Sequence, residues 1–272
     1  MKHNIVRINK IVLSNFKNVK KGIVEMPAYS GKELFSEKAD VLGLYGQNGS
    51  GKTSVVNLIP RFYDATQGNV LVFGKPVKEQ DMESLRSQIA VVPQKAVLFA
   101  GTIVENLRWG KKDASKEEMW KALEISQSKE FVEKKDGQLE SRIEQGGKNL
   151  SGGQRQRLTI ARALVRQPEI LILDDSASAL DYATDAALRK ATRNMEGNPA
   201  VFIVSQRTSS IQHADRILVL DDGKAAGLGT HEELLETCPV YQEIYYSQFD
   251  EKAAKAVREN AANAGKAEKG GC

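Results

Sequence analysis

A glycine-rich stretch between an apolar run and a helical run constrains this chain more than any other feature. Residues Gly46–Thr53 read Gly-Gln-Asn-Gly-Ser-Gly-Lys-Thr and match the phosphate-loop pattern G-x-x-x-x-G-K-S/T. The run before it, Val41–Tyr45, is predicted to be a short buried strand, and Lys52–Ile59 is predicted to be a helix. A chance match in a glycine-rich turn is the alternative, and the flanking strand and helix argue against it.

The pattern predicts contacts to phosphate groups and to a metal ion. Its glycines lack a Cβ, so the backbone can fold tightly and turn its N–H groups toward an anion. Lys52 can reach the β- and γ-phosphates of a nucleotide, and the Thr53 hydroxyl can bind Mg²⁺. The residues predicted to contact the nucleotide here are Gly46, Gln47, Asn48, Gly49, Ser50, Gly51, Lys52, Thr53 and Ser54.

The bulk properties are those of an ordinary α/β protein. The 272 residues carry a net charge of +4, and lysine and arginine are spread along the chain rather than massed in one segment. This spread does not indicate a nucleic-acid-binding surface. The two cysteines, Cys238 and Cys272, fit a reducing compartment. We find no apolar run of membrane-spanning length and no signal-peptide core, so we expect a soluble chain that can still dock on a membrane partner.

Strand-like and helix-like runs alternate along the chain. This alternation predicts a mostly parallel, doubly wound sheet, preceded by an antiparallel set of strands within residues 4–26. We expect the polar tail from residue 251 to 272 to be a flexible extension. The predicted strands after the phosphate loop are 68–73, 89–92, 170–173, 201–204 and 217–220, and the predicted helical segments are 113–135, 154–166 and 182–195.

Three polar residues follow predicted strands, where parallel sheets place their ligands. Asp174 ends the apolar run Ile170–Leu173 and suits a carboxylate that holds Mg²⁺, directly or through water. Asp175 follows and is placed to orient and polarise an attacking water. A turn, or an N-cap for a helix starting near Ala177, is the alternative for this pair. Gln206 follows the predicted strand 201–204.

A second glycine-containing helix start lies about a hundred residues after the phosphate loop. In Leu150–Gln154, Ser151 is a candidate helix N-cap, and two glycines allow a phosphate to approach the backbone. One nucleotide needs only one phosphate loop. The second site is therefore predicted to serve the nucleotide of a partner, through Ser151, Gly152, Gly153 and Gln154.

These motifs occur in the order found in the nucleotide-binding domains of ATP-binding cassette (ABC) proteins. From about residue 57 to residue 249 the chain resembles the exporter branch of that family, as in the segments "SLRSQIAVVPQKAVLFAGTIVENL" and "LSGGQRQRLTIARALV". The resemblance implies a P-loop NTPase (RecA-like) fold of the α/β class with an inserted helical subdomain. It implies a nucleotide-binding domain over 1–249, with a core of about 1–93 and 166–249, a helical subdomain of about 94–165, and a tail over 250–272.

The resemblance also implies partners and cofactors, namely ATP and Mg²⁺. In that family each ATP lies between the phosphate loop of one subunit and the Leu-Ser-Gly-Gly-Gln segment of a second nucleotide-binding domain, arranged head to tail. Gln94 then corresponds to the residue that senses Mg²⁺ beside the transmembrane partner, and Ser141–Gly147 resembles the exporter-specific loop next to it. Asp181 corresponds to a residue that faces the opposing subunit.

Two departures from the family pattern fall on one nucleotide site. The usual general base is Glu, and here it is Asp175, which is one methylene shorter; a misplacement of about 1 Å can cost about a hundredfold in rate. The usual switch His is here Gln206, which can hydrogen-bond a γ-phosphate but cannot carry a proton in its place. We therefore expect strong ATP binding and slow hydrolysis, as in the degenerate half of a heterodimeric exporter.

The first fifty residues depart from the exporter pattern and look more like the opening of RecF/SMC-like or AAA-type ATPases. Phe16 and Tyr29 are the candidates for stacking on adenine, although neither occupies the expected position. The leading hypothesis is an ATPase subunit of an exporter, cytoplasmic and peripheral to the membrane through a transmembrane partner, with no nucleic-acid partner. The alternatives are a soluble, non-transport RecF-like ATPase acting on DNA, and a regulatory module that only binds ATP.

Overall fold

The computed structural model describes residues 10–16, 19–25 and 41–249 of the chain. In this part of the chain the strands are β1 (Lys10–Phe16), β2 (Val19–Glu25), β3 (Val41–Tyr45), β4 (Leu71–Val72), β5 (Lys75–Pro76), β6 (Ile89–Val92), β7 (Gly101–Thr102), β8 (Arg142–Ile143), β9 (Ile170–Asp174), β10 (Ala200–Val204), β11 (Arg216–Asp221) and β12 (Lys224–Gly229). The helices are α1 (Lys52–Leu58), α2 (Met82–Ser87), α3 (Ile103–Arg108), α4 (Lys116–Ile125), α5 (Lys129–Glu133), α6 (Gly152–Leu164), α7 (Tyr182–Arg193), α8 (Thr208–Ile211), α9 (His231–Thr237) and α10 (Pro239–Phe249).

A six-stranded sheet forms the centre of the fold, in the order β12-β11-β3-β10-β9-β6. The pairs β11·β3, β3·β10, β10·β9 and β9·β6 are parallel, and only the edge pair β11·β12 in this sheet is antiparallel. The predicted mostly parallel sheet is confirmed. Because parallel strands share one orientation, the loops after β3, β6, β9 and β10 all leave the same edge of the sheet.

Strand β9 shows why this sheet has two covered faces. All five of its residues are buried, and its four apolar residues alternate between two apolar clusters, as the two-residue period of a strand requires. Leu171 and Leu173 belong to the cluster that extends into the helices between β6 and β9. Ile170 and Ile172 belong to the cluster that contains the apolar face of α1. The unbroken apolar run in the sequence thus reflects burial on both faces.

At the N-terminal end, β1 and β2 pair antiparallel, with Ile11 opposite Val24 and Val12 opposite Ile23. This agrees with the antiparallel set expected there. The expected strand at residues 5–8, the candidate Tyr29 and the tail from residue 250 to residue 272 lie outside the described residues.

Two predicted elements differ from those in the structure. The helical segment 113–135 is divided into α4 and α5, because Gln127 adopts a positive φ of 60° and Ser128 N–H returns to the carbonyl of Leu123, 2.7 Å away. The predicted strand 68–73 is reduced to the two residues of β4, which turn at Gly74 into β5. None of the helices among the described residues combines the length and the apolar content that a membrane span needs.

Candidate nucleotide site

The phosphate loop connects the end of β3 to the start of α1 at the carboxyl edge of the sheet. Its first glycine, Gly46, adopts a φ of 147° and lies so close to β11 that a Cβ there would be 2.1 Å from the carbonyl oxygen of Leu220. The N-cap of α1 is Gly51, with a φ of 98°. Any other residue at Gly46 would push the loop away from the sheet. The loop is therefore held in a tight backbone cradle that only glycine permits.

Lys52 lies at the bottom of this cradle and is buried. Its Nζ donates to the carbonyl oxygens of Gly46 at 2.6 Å and Gln47 at 2.8 Å, and to the hydroxyl of Ser50 at 3.4 Å. All three acceptors are uncharged. Burial lowers the pKa of the Lys52 ammonium, and the nearby charges of Asp175 and Asp174 oppose this effect. A buried cation with neutral acceptors fits an anionic ligand such as a phosphate.

Thr53 and Asp174 bring two oxygen donors together from distant parts of the chain. The Thr53 hydroxyl donates to Oδ1 of Asp174 over 2.9 Å, joining the first turn of α1 to the last residue of β9. Burial raises the pKa of the Asp174 carboxyl, the hydrogen bond from Thr53 lowers it, and the charge of Asp175 raises it further. A hydroxyl and a carboxylate in contact are the donors that Mg²⁺ prefers, so these residues fit the expected metal.

Asp175 and Gln94 form the next pair. Nε2 of Gln94, two residues after β6, donates to Oδ2 of Asp175 over 2.8 Å, which leaves the amide oxygen of Gln94 free for a cation. Asp175 has a left-handed φ of 47°, and its N–H bonds the carbonyl of Val204 at 2.8 Å. Burial raises the pKa of this carboxyl, against the hydrogen bond from Gln94 and the charges of Lys52 and Arg207.

Gln206 reaches the same place from the end of β10. Its Nε2 donates to Oδ1 of Asn48 in the phosphate loop over 2.7 Å. The residue is partly buried and follows Ser205, whose N–H bonds the carbonyl of Leu44 at 3.1 Å. The Gln206 side chain is thus in direct contact with the phosphate-loop segment.

These residues surround one cavity of about 140 Å³. The cavity is open, and it lies where the four parallel strands β3, β6, β9 and β10 end. The residues that line it include the predicted catalytic residues Lys52, Asp175 and Gln206. They also include the predicted metal ligands Thr53, Gln94 and Asp174. Its lining is Asn48, Gly49, Ser50, Gly51, Lys52, Thr53, Ser54, Gln94, Asp174, Asp175, Val204 and Gln206.

The second set of predicted residues lies elsewhere, since the cavity lining includes neither Ser151–Gln154 nor Asp181. Ser151 is the N-cap of α6, as predicted: its hydroxyl accepts from Gln154 N–H at 3.2 Å, and Oε1 of Gln154 accepts from Ser151 N–H at 3.0 Å. Ser151 and Gly152 are exposed. Asp181 is the exposed N-cap of α7, where hydrogen bonds from the backbone and hydroxyl of Thr184 lower its pKa.

Two residues beside the site were not found from the sequence. The Arg207 guanidinium donates to the carbonyl oxygens of Ser178 at 2.9 Å, Leu180 at 3.3 Å and Ala177 at 3.4 Å, which holds the turn that precedes Asp181. Gln248 in α10 contacts the backbone of Gln206. No local pattern marks either residue, because their partners are far away in sequence.

The fold and the site define a phosphate-loop nucleotide-binding protein of the α/β class. Comparison with known families matches residues 33–178, more than half of the chain, to the family described as ABC transporter. The chain belongs to this family, and the resemblance drawn from its motifs is confirmed.

Individual relatives agree with this assignment. An uncharacterized ABC transporter ATP-binding protein of Mycobacterium bovis is 44% identical over 227 residues, which cover 82% of this chain and 39% of the relative. An ATP-dependent lipid A-core flippase of Chromobacterium violaceum is 39% identical over 231 residues, covering 85% of this chain and 40% of the flippase. The chain thus spans about two fifths of the length of these relatives.

A solved structure agrees as well. A bacterial Atm1-family ABC exporter with ATP bound superposes with a TM-score of 0.78 at 28% sequence identity, over 92% of this chain and 44% of the exporter chain. The predicted ABC ATPase fold, with a mostly parallel sheet and antiparallel parts, is confirmed.

Proposed function

We propose that this chain is the ATP-binding part of an exporter, which closes on a second nucleotide-binding domain when ATP binds and hydrolyses ATP slowly at its own site. The observation that carries the proposal is the grouping of Lys52, the Thr53–Asp174 pair, the Asp175–Gln94 pair and Gln206 around one cavity. Similarity to exporters and flippases supports the transport role.

Each side chain has a defined task at the proposed site. Lys52 and the loop N–H groups bind the β- and γ-phosphate oxygens, and Asn48 and Gln206 hold the γ-phosphate end. Thr53, Asp174 and Gln94 are the residues that would hold Mg²⁺, which supplies neutralisation of phosphate charge when it is bound with the nucleotide. Asp175 orients and polarises the attacking water.

Slow hydrolysis follows from the residues at two of these positions. Asp175 carries a short side chain whose carboxylate already accepts a hydrogen bond from Gln94. Gln206 offers an amide that donates a hydrogen bond but cannot take up a proton. Both features preserve contacts to a bound nucleotide and weaken the proton transfer that hydrolysis requires.

The partner nucleotide-binding domain is inferred from Ser151–Gln154 and Asp181. These residues are located at the starts of α6 and α7, outside the cavity, and Ser151, Gly152 and Asp181 are exposed. A Cβ at Gly152 would have a guanidinium nitrogen of Arg155 at 4.0 Å as its nearest neighbour, so space for a ligand remains there. We propose that this face completes the nucleotide site of the second subunit.

The transmembrane partner is inferred from an exposed apolar surface, which we define as Val97, Phe99 and Trp109 and call the docking surface. These side chains are 45%, 43% and 69% exposed. The Phe99 and Trp109 rings stack with centroids 4.7 Å apart, and Arg162 lies over Phe99 and donates to the carbonyl of Val97 at 2.9 Å. Exposed, ordered aromatic groups of this kind mark interaction sites.

The segment predicted to lie beside the transmembrane partner, Ser141–Gly147, adjoins this surface. β8 pairs with β7, and Gly146 N–H bonds the carbonyl of Leu98 at 3.1 Å. We propose that the chain operates at the cytoplasmic face of a membrane through a transmembrane domain docked here. We also propose the division into a core over 1–93 and 166–249, a helical subdomain over 94–165 and a tail over 250–272.

Membrane co-purification tests this function. We expect the tagged chain, expressed in its native host, to sediment with membranes, and we expect Phe99→Ala together with Trp109→Ala to release it. Tyr182→Ala is the control for loss of an exposed aromatic side chain, because Tyr182 is 68% exposed and lies beside the proposed second-subunit face, outside the docking surface. ATPase activity that DNA stimulates, with no membrane association, would refute the transport role and favour the RecF-like alternative.

A further inference from the structure

The last turns of α10 reach the nucleotide site through one side chain. Gln248 Nε2 donates to the main-chain carbonyl of Gln206 over 2.7 Å and to the hydroxyl of Tyr45 over 3.2 Å. Its Oε1 accepts from the N–H of Thr208 over 3.0 Å. One amide therefore joins β3, the strand that leads into the phosphate loop, to both ends of the segment Gln206–Thr208, which we call the switch loop.

Two of the groups that Gln248 contacts, the Thr208 N–H and the Tyr45 hydroxyl, require hydrogen-bond partners at these positions. Thr208 is the first residue of α8, and the N-cap residue, Arg207, provides no side-chain acceptor for this helix. Gln248 Oε1 supplies that acceptor from another element. Tyr45 is fully buried, its hydroxyl also contacts the Thr208 hydroxyl, and burial raises its pKa to about 12. The tyrosine thus stays neutral and remains a hydrogen-bonding partner at physiological pH.

Packing does not explain why Gln248 is in this place. The residue is exposed, whereas the helix is anchored two turns earlier by Tyr241, which is fully buried and has its ring centroid 5.2 Å from that of Tyr45. Substitution of Gln248 therefore leaves the anchor of α10 intact and opens no cavity in the core. What it removes is the set of hydrogen bonds around Gln206.

We propose that Gln248 is a positioning residue of the nucleotide site, which holds the backbone of Gln206 so that its side chain meets Asn48 and the γ-phosphate end of the cavity. The inference rests on the proposed γ-phosphate contact of Gln206. Through this contact α10, the last element of the described chain, would contribute to the discrimination between ATP and ADP. Only ATP carries the phosphate that Gln206 would contact.

The test is the ratio of ATP affinity to ADP affinity, measured with mant-nucleotides and Mg²⁺ on the full chain. Gln248→Glu places an acceptor opposite the Gln206 carbonyl and is expected to lower the ratio about three- to tenfold, the worth of roughly one hydrogen bond. Gln242→Glu is the matched control. Gln242 is on the same helix, and its Nε2 donates to the carbonyl of Leu235 at 2.6 Å, away from the site, so the ratio should not change.

A double-variant cycle separates positioning from a structural effect. Gln206→Ala should lower the ratio by itself, and adding Gln248→Glu to it should lower the ratio no further. If Gln206→Ala has no effect, the proposed γ-phosphate role of Gln206 is wrong and the inference fails with it. If Gln206→Ala lowers the ratio and Gln248→Glu does not, or weakens ATP and ADP equally, the inference alone is overturned.

Discussion

Gln94 donates a hydrogen bond from Nε2 to Oδ2 of Asp175 over 2.8 Å, across 81 residues of sequence. The contact joins the segment after β6 to the end of β9, two strands that are neighbours in the sheet. It ties a candidate metal ligand to the candidate general base. In the proposed function, the loop beside the transmembrane partner thereby contacts the residue that controls hydrolysis.

The first prediction concerns Asp175 and Gln206, the two positions that depart from the usual family residues. Asp175→Glu combined with Gln206→His should raise ATP turnover by about tenfold to a hundredfold, because the carboxylate moves about 1 Å closer to the water and the imidazole can carry a proton. Steady-state phosphate release from the purified protein measures the change. Adding Lys52→Ala must abolish the gained activity, which excludes a contaminating ATPase. Unchanged turnover in the double variant would favour a module that only binds ATP.

The second prediction concerns the cation in the phosphate loop. Lys52→Ala should reduce ATP binding about a hundredfold or more, because each hydrogen bond to a charged group contributes about 1.5–3 kcal/mol. Equilibrium binding of a fluorescent ATP analogue measures this. Lys75→Ala is the control, since Lys75 is exposed, begins β5 and is not among the residues that line the cavity. Equal ATP affinity in wild type and Lys52→Ala would refute the assignment of the phosphate loop.

The third prediction concerns the helix start predicted to serve the partner. Ser151→Ala breaks the capping box of α6 at a cost of about 1 kcal/mol of stability. ATP binding to this chain should stay within about twofold, and hydrolysis in the assembled complex should fall.

The same chain supplies a matched control for that variant. Ser115 forms an equivalent capping box with Glu118 at the start of α4. Ser115→Ala should cost similar stability and leave hydrolysis unchanged. If both serine variants slow hydrolysis equally, lost stability rather than a lost nucleotide contact is responsible.

The fourth prediction concerns pH and stability. His231 Nδ1 lies 2.7 Å from the Tyr241 hydroxyl, and burial lowers the His231 pKa below its usual 6.5, opposed by Glu232 and reinforced by His213. The unfolded chain therefore binds more protons once the pH falls below about 6.5, so the native state loses stability there. The melting temperature should fall less between pH 7.5 and 5.5 in His231→Asn than in wild type. His213→Asn, at an exposed position, should retain most of the wild-type decrease.

Some elements of the fold and the site could be predicted from the sequence, and others could not. The phosphate loop and the strand before Asp174 were predictable, because glycine spacing and an unbroken apolar run are local signals. The N-cap role of Ser151 was predictable for the same reason. The short helices α2 and α3, the strand β12, and the helices α9 and α10 were not identified. They lack a long apolar period, and packing against the rest of the chain determines whether such short elements form.

The sequence by itself determined the family and predicted the class of chemistry, because the residue types and spacings of Gly46–Thr53, Asp174 and Leu150–Gln154 are local signals. Only the tertiary structure decided how these residues relate to one another. It brings Asn48 to Gln206, Gln94 to Asp175 and Gln248 to the switch loop. The physical reason is that a hydrogen bond needs two groups within about 3 Å. Strand order and helix packing bring distant groups to that separation, and neither can be read from any local stretch of the chain.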